Sequence, residues 1–216
     1  MTKFGRTGNS GNTDKIGKIG TFFLAAFLSV SLAQASNAKD AAPAKNAANK
    51  QNNAPTQAQN IAVKQAYFGA GCFWKVQYVF SNVPGVVKTK VGYSGGNIVN
   101  PTYEQVCGHG TKHVETVQVD YDPKKVTFKK LLEVFWSKHD PTTLNRQGPD
   151  VGDQYRSVIF YTDENQKEEA LQYKEELNKA HKFARPIVTA IEPASKFYDA
   201  EDYHQDYFKK HGQVCH

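Results

Sequence analysis

Near residue 62 the chain changes texture, and only the residues beyond that point can build a core. From Ser36 to about Ala62 the sequence is rich in Ala, Asn, Gln and Lys and nearly free of aromatic and branched residues. Such a segment cannot bury enough apolar surface to offset its chain entropy, so residues 36–62 are expected to be a disordered linker. Ahead of it, Lys15 and Lys18 precede an apolar run from Thr21 to Ala33. Small residues at Ala33 and Ala35, or Ser36 and Ala38, come next. That order predicts a secretory signal peptide over residues 1–35 and export to the periplasm or cell envelope. The alternative is an uncleaved N-terminal anchor, although the run is short for a membrane span. Residues 1–62 carry seven Lys/Arg against two Asp/Glu, and the remainder 20 against 19. The basic excess therefore belongs to the tail. A nucleic-acid binder would carry it on the folded part, so no nucleic-acid partner is expected.

Residues 63–216 suffice for one domain. Ala66-Tyr67-Phe68 reads as a buried strand ending at Gly69. From Cys72 to about Asn82, Phe73, Val76 and Phe80 recur at helical spacing. Val86 to Tyr93 is β-rich, and a loop containing Pro101 and Gly108 comes after it. Val114 to Tyr121 alternates as a strand with one buried face. Phe128, Leu131, Leu132, Phe135 and Trp136 mark a helix, Tyr155 to Tyr161 a strand, residues 163–182 a charged helix, Ile187 to Ile191 a last strand and Glu201 to Lys210 an aromatic helix. The order predicts an α+β two-layer sandwich, a mixed or antiparallel sheet covered by helices, with a ferredoxin-like βαββαβ core and additions.

One of the three cysteines lies in Gly69-Ala70-Gly71-Cys72-Phe73-Trp74. Between a strand end and a helix start, Cys72 would face unpaired N–H groups and the positive helix end, which lower a thiol pKa. Gly69 and Gly71 would let the backbone turn sharply, and Phe73 and Trp74 would wall an apolar pocket. An inert cysteine in an aromatic core fits the same residues. Cys215, one residue from the end, could swing in to resolve an oxidised partner or could form a structural disulfide with Cys107. Cys107, His109 and His113 are spaced like metal ligands but lack a second knuckle, so no metal and no cofactor is expected.

The blocks Gly71-Cys72-Phe73-Trp74, Val83-Pro84-Gly85-Val86, Gly92-Tyr93-Ser94-Gly95-Gly96 and Asn100-Pro101-Thr102-Tyr103-Glu104-Gln105-Val106-Cys107 resemble type A peptide methionine sulfoxide reductases. So do His113-Val114-Glu115, Val119-Asp120-Tyr121-Asp122-Pro123, Phe135-Trp136, His139-Asp140-Pro141, Arg146-Gln147-Gly148, Asp150 to Ser157 and Ala200 to Tyr207. The resemblance runs from about Tyr67 to Cys215. It implies reduction of methionine S-sulfoxide, free or in proteins, with repair of oxidative damage as the outcome. It makes Cys72 the nucleophile that becomes a sulfenic acid and Glu115 the acid on the sulfoxide oxygen. Tyr103 and Tyr155 become donors to that oxygen, Asp150 a substrate-orienting residue, and Phe73 and Trp74 the holders of the methyl group. Cys215 would resolve the sulfenic acid as a disulfide, and a thioredoxin-like reductant would restore a monomeric enzyme.

Lys75 and Gln77 depart from the family pattern, which often has a small residue and Glu there. Lys75 would stabilise a nearby thiolate, and Gln77 puts local packing in doubt. Two other functions fit Cys72 less well. One is a thiol hydrolase or acyltransferase with His109 or His204 as base. The other is an exported binding module whose aromatic pocket holds methionine-like side chains.

Overall fold

The computed structural model describes residues 62–212. The expected signal peptide, the linker up to residue 61 and Cys215 lie outside the described residues. Four strands form the centre: β1 (Lys64–Ala70), β2 (Val86–Ser94), β3 (Val114–Tyr121) and a strand at Ser157–Tyr161. They pair antiparallel in the order Ser157–Tyr161, β1, β3, β2. With α1 (Phe73–Ser81) between the first two and α3 (Phe128–Ser137) between the last two, this is the expected βαββαβ core.

The additions extend it. A short helix, α2 (Tyr103–Cys107), lies between β2 and β3 where the sequence suggested only a loop. A hairpin of β4 (Arg146–Gln147) and β5 (Asp150–Val151) leads through a 3-10 turn at Asp153–Tyr155 into the fourth core strand, β6. After α4 (Glu164–Lys179), β7 (Ala190–Pro193) joins β6 in parallel and β8 (Tyr198–Asp199) joins β2 antiparallel, which makes the six-stranded sheet mixed. The last helix, α5, is only Tyr207–His211.

The structure corrects three sequence expectations. The last long strand starts at Ala190 rather than Ile187, because Ile187 and Val188 give their N–H groups to Asn178 Oδ1 and the Pro141 carbonyl. Residues 201–206 form turns rather than a helix. There the Gln205 amide accepts from Val91 N–H and donates to the Val91 and Ala200 carbonyls, which ties the segment to β2. The start of β3 is buried on both faces, because Val117 joins the main core while Val114 on the opposite face packs with Val158 and Phe160 in a second apolar cluster.

The core sits between the sheet and the helices. Phe68 on β1 is fully buried, stacks on Phe80 of α1 at 4.7 Å and meets Phe135 of α3 at 5.3 Å. Burial of a side chain this size contributes about 1.5–3 kcal/mol. This aromatic inside β1 thus packs on both helices and helps fix the N-terminus of α1.

Candidate active site

Two residues after β1 ends, the chain turns into α1 with Cys72 at the N-cap. Gly71 makes that turn at φ +85°. A Cβ there would stand 2.6 Å from Gln147 Cγ, so the hairpin packs directly on the glycine. Gln147 itself is fixed, with its amide bonded both ways to the backbone of Asp140 at 3.0 Å. Gly69 has a different role from the one expected. It lies inside β1, where a Cβ would meet methyls of Val114 and Val158, so it serves sheet packing and not the turn. Gly71→Ala combines a left-handed backbone with that clash. It is expected to lower the melting temperature by about 5–10 °C in a thermal unfolding scan.

The Cys72 sulfur is half-buried, and although Cys72 is the N-cap of α1 its side chain makes no capping hydrogen bond; the backbone N–H groups of Trp74 and Lys75 act on it only by drawing its pKa down. The net effect on its acidity is the reverse of the expectation. Burial, then the Glu115 carboxylate, push the thiol up to about 12, and the two backbone N–H groups and Asp150 change this less. Cys72 is therefore a protonated thiol in the resting protein. Lys75 is exposed, and its ammonium acts on Asp150, whose carboxyl is nonetheless raised by burial.

Glu115 comes from β3, opposite Tyr93 of β2, and is 2% exposed. Its Oε2 accepts the Phe73 N–H at 3.0 Å, which fastens it to the first turn of α1 next to Cys72. Burial pushes its carboxyl up to about 8, against the pull of that hydrogen bond. At neutral pH it is chiefly a neutral acid, able to donate a proton.

Tyr103 opens α2, where Thr102 caps the helix by accepting from Gln105 N–H while the Gln105 side chain accepts from Thr102 N–H. Burial, followed by the neighbouring Cys107 thiol, raises the pKa of the Tyr103 hydroxyl. Tyr155 ends the 3-10 turn. Burial raises its pKa, and so do Glu115, Cys107, Asp150 and Cys72, which places its hydroxyl within electrostatic reach of all four. Asp150 on β5 pairs with Gln147 and acts on both Cys72 and Glu115. Phe73 is 1% exposed, a floor more than a wall, while Trp74 is half-buried and stacks on Tyr207 at 3.8 Å.

The structure thus gathers Cys72, Glu115, Tyr103, Tyr155, Asp150, Phe73 and Trp74 into one site. Two residues there were not among the site residues that the resemblance implied. Glu201 accepts the Tyr93 hydroxyl and the Tyr103 N–H, both at 2.9 Å, and His204 accepts the Trp74 indole N–H at 3.0 Å. The visible signal was an acid and a histidine inside an otherwise aromatic stretch. Gln77 resolves the packing doubt: 2% exposed, it accepts the Asp206 N–H at 2.8 Å and so anchors the same segment to α1.

Neither histidine proposed as a hydrolytic base serves Cys72. His204 Nδ1 accepts from Trp74, His109 is exposed and stands 3.9 Å from Asp153, and neither is hydrogen-bonded to the Cys72 sulfur. His113 is buried and its Nε2 bonds the Ile98 carbonyl at 2.8 Å. A thiol, a neutral carboxylic acid and two phenols around one point suit delivery of a proton to an oxygen while sulfur attacks.

The model of the peptide methionine sulfoxide reductase family matches residues 64–216. Peptide methionine sulfoxide reductase MsrA of Methanosarcina acetivorans is 62% identical over 69% of this chain and 80% of its own length. The Geobacter sulfurreducens protein of that name is 53% identical over 71% and 95%. Among solved structures, the reduced form of Mxr1 from Saccharomyces cerevisiae superposes with a TM-score of 0.67 at 38% identity, over 71% of this chain and 88% of that one. Methionine sulfoxide reductase A of Corynebacterium diphtheriae gives 0.63 at 38% identity, over 71% and 77%. With this fold, this site and these relatives, the chain belongs to the peptide methionine sulfoxide reductase family of oxidoreductases.

Proposed function

We propose that this chain reduces the S epimer of methionine sulfoxide, free or in oxidised proteins, by a thiol mechanism centred on Cys72. The observation that carries the reading is the pairing of a thiol at the start of α1 with a buried carboxylic acid. Glu115 is held at the next residue's N–H with its pKa raised to about 8. A sulfoxide oxygen leaves sulfur only when protonated, and a neutral Glu115 is the group that can protonate it, with Tyr103 and Tyr155 as hydrogen-bond donors. Cys72 sulfur attacks the sulfoxide sulfur as its thiol proton is released, which makes good the proton Glu115 gives. Oxygen ends on Cys72 as a sulfenic acid, and methionine departs. Phe73 and Trp74 hold the methyl group, and Asp150 orients the substrate.

Cys215 then attacks the sulfenic sulfur, forming a Cys72–Cys215 disulfide and releasing water. A thioredoxin-like dithiol reduces the disulfide. The basic, apolar and small-residue order of residues 1–35 supports export to the periplasm or envelope, so the donor would be one available there.

Turnover counting tests the scheme. Cys215→Ser is expected to release about one methionine per chain in a burst and then stall with a thioredoxin-like donor. Undiminished multiple turnover by Cys215→Ser would remove the resolving role from the tail.

A further inference from the structure

His204 carries a cost that the reaction scheme leaves unexplained. Its ring is 1% exposed and wedged against Phe73 at 5.1 Å, Tyr103 at 4.6 Å and Tyr203 at 4.2 Å. An indole N–H can only donate, so the Trp74 bond at 3.0 Å makes Nδ1 the unprotonated nitrogen and leaves the proton on Nε2. That Nε2 has no hydrogen-bond partner among the described residues, and the nearest carboxylate oxygen, of Glu201, is 3.9 Å away. A buried N–H without a partner is destabilising, and a phenylalanine would fill the same space without it. The one thing the imidazole does that a phenyl ring cannot is accept from Trp74.

We propose that His204 is a positioning residue: its Nδ1 fixes the Trp74 indole in the orientation that receives the sulfoxide's methyl group. The proposal rests on the reading of Trp74 as a wall of the substrate site. Trp74 comes two residues after Cys72 and is only half-buried, so α1 alone does not determine its ring. Two contacts do: the stack on Tyr207, 10° from parallel, and the edge bond to His204. Both come from the segment after β8, which is itself fastened to the core. Gln205 bonds Val91 on β2, Gln77 on α1 holds Asp206 N–H, and Glu201 holds Tyr103 N–H. The segment thus acts as a strap that sets the indole at the site's mouth, and binding gains because the ring's orientation is settled before substrate arrives.

The test is steady-state kinetics of the full chain on an S-methionine sulfoxide peptide with a thioredoxin-like donor. His204→Phe keeps the ring packing and removes the acceptor. It is expected to raise KM about tenfold with kcat within about twofold, the pattern of lost binding common to ground and transition states. His204→Asn offers Oδ1 near the place of Nδ1 and is expected to return KM to within about threefold of the unaltered protein. In a Trp74→Phe background, His204→Phe is expected to add nothing, since the two act through one contact.

A His204→Phe protein with unchanged KM would overturn the proposal. So would His204→Asn no better than His204→Phe, or additive effects in the double variant. If Trp74→Phe alone leaves KM unchanged, the reading of Trp74 as substrate wall fails, and the proposal falls with it. A rise in KM for Trp74→Phe without one for His204→Phe removes His204 alone.

Discussion

Cys72→Ser is expected to leave no sulfoxide reduction above background while the fold stays intact or gains slightly in stability. A serine hydroxyl neither attacks a sulfoxide sulfur nor accepts its oxygen as a sulfenic acid, so the reaction loses its first step. Folding should not suffer, because Cys72 is the N-cap of α1 and serine is among the preferred residues there. Loss of activity with an unchanged or higher melting temperature separates chemistry from unfolding. Activity above about one-tenth of the unaltered protein would place the nucleophile elsewhere.

Glu115→Gln is expected to lower kcat/KM about 10²–10³-fold, the usual effect of removing a donor aimed at developing charge. Its pH behaviour is the more specific signature. With the carboxyl raised to about 8, Glu115 is a neutral acid below that pH and loses its donating proton above it. The unaltered enzyme should therefore lose kcat/KM as pH rises through about 8, and the Glu115→Gln protein should lack that limb.

The same shift bears on stability. A carboxyl whose folded pKa lies above its ordinary value near 4.5 binds its proton more tightly when folded. Its contribution is complete below about 4.5 and is lost as pH rises toward about 8. Glutamine keeps the buried acceptor for Phe73 N–H without a charge to bury. Glu115→Gln should accordingly melt about 5 °C or more above the unaltered protein at pH 8 and near it at pH 4. Thermal scans at the two pH values check this, and equal differences at both would show that Glu115 is not held neutral by burial.

Sequence periodicity identified what repeats and missed what does not. Phe73, Val76 and Phe80 marked α1, and Phe128 through Trp136 marked α3, because long amphipathic helices leave an apolar stripe. The five residues of α2 are too few for a stripe; its trace was the Thr102–Gln105 capping box. The segment after β8 looked helical from its aromatics, yet it is tied through the Gln205 side chain and the Asp206 N–H to β2 and α1, partners more than a hundred residues away in the chain.

The site shows the same division. Cys72 at the strand-to-helix junction was legible from its glycines and aromatics. The direction of its pKa was not, because it depends on burial and on Glu115, whose bond to Phe73 spans 42 residues, rather than on the helix end alone. Glu115, Tyr103, Tyr155 and Asp150 gained roles only from the family resemblance, since a strand carboxylate or an edge tyrosine carries no local mark. Glu201 went without a role, and His204 was considered only as a hydrolytic base, because their work is to hold other side chains, which spacing alone does not encode.

The central claim, that Cys72 takes the oxygen from an S-sulfoxide and passes the oxidation to Cys215, is met most directly by one stoichiometric reaction. Reduced full-length protein, without added reductant, is mixed separately with S- and R-methionine sulfoxide peptides, and methionine formed and thiols lost are counted per chain. The account predicts about one methionine from the S peptide alone, matched by loss of two thiols as one disulfide. No methionine from either epimer, with all thiols intact, would contradict it and leave a protein that has the site without the chemistry.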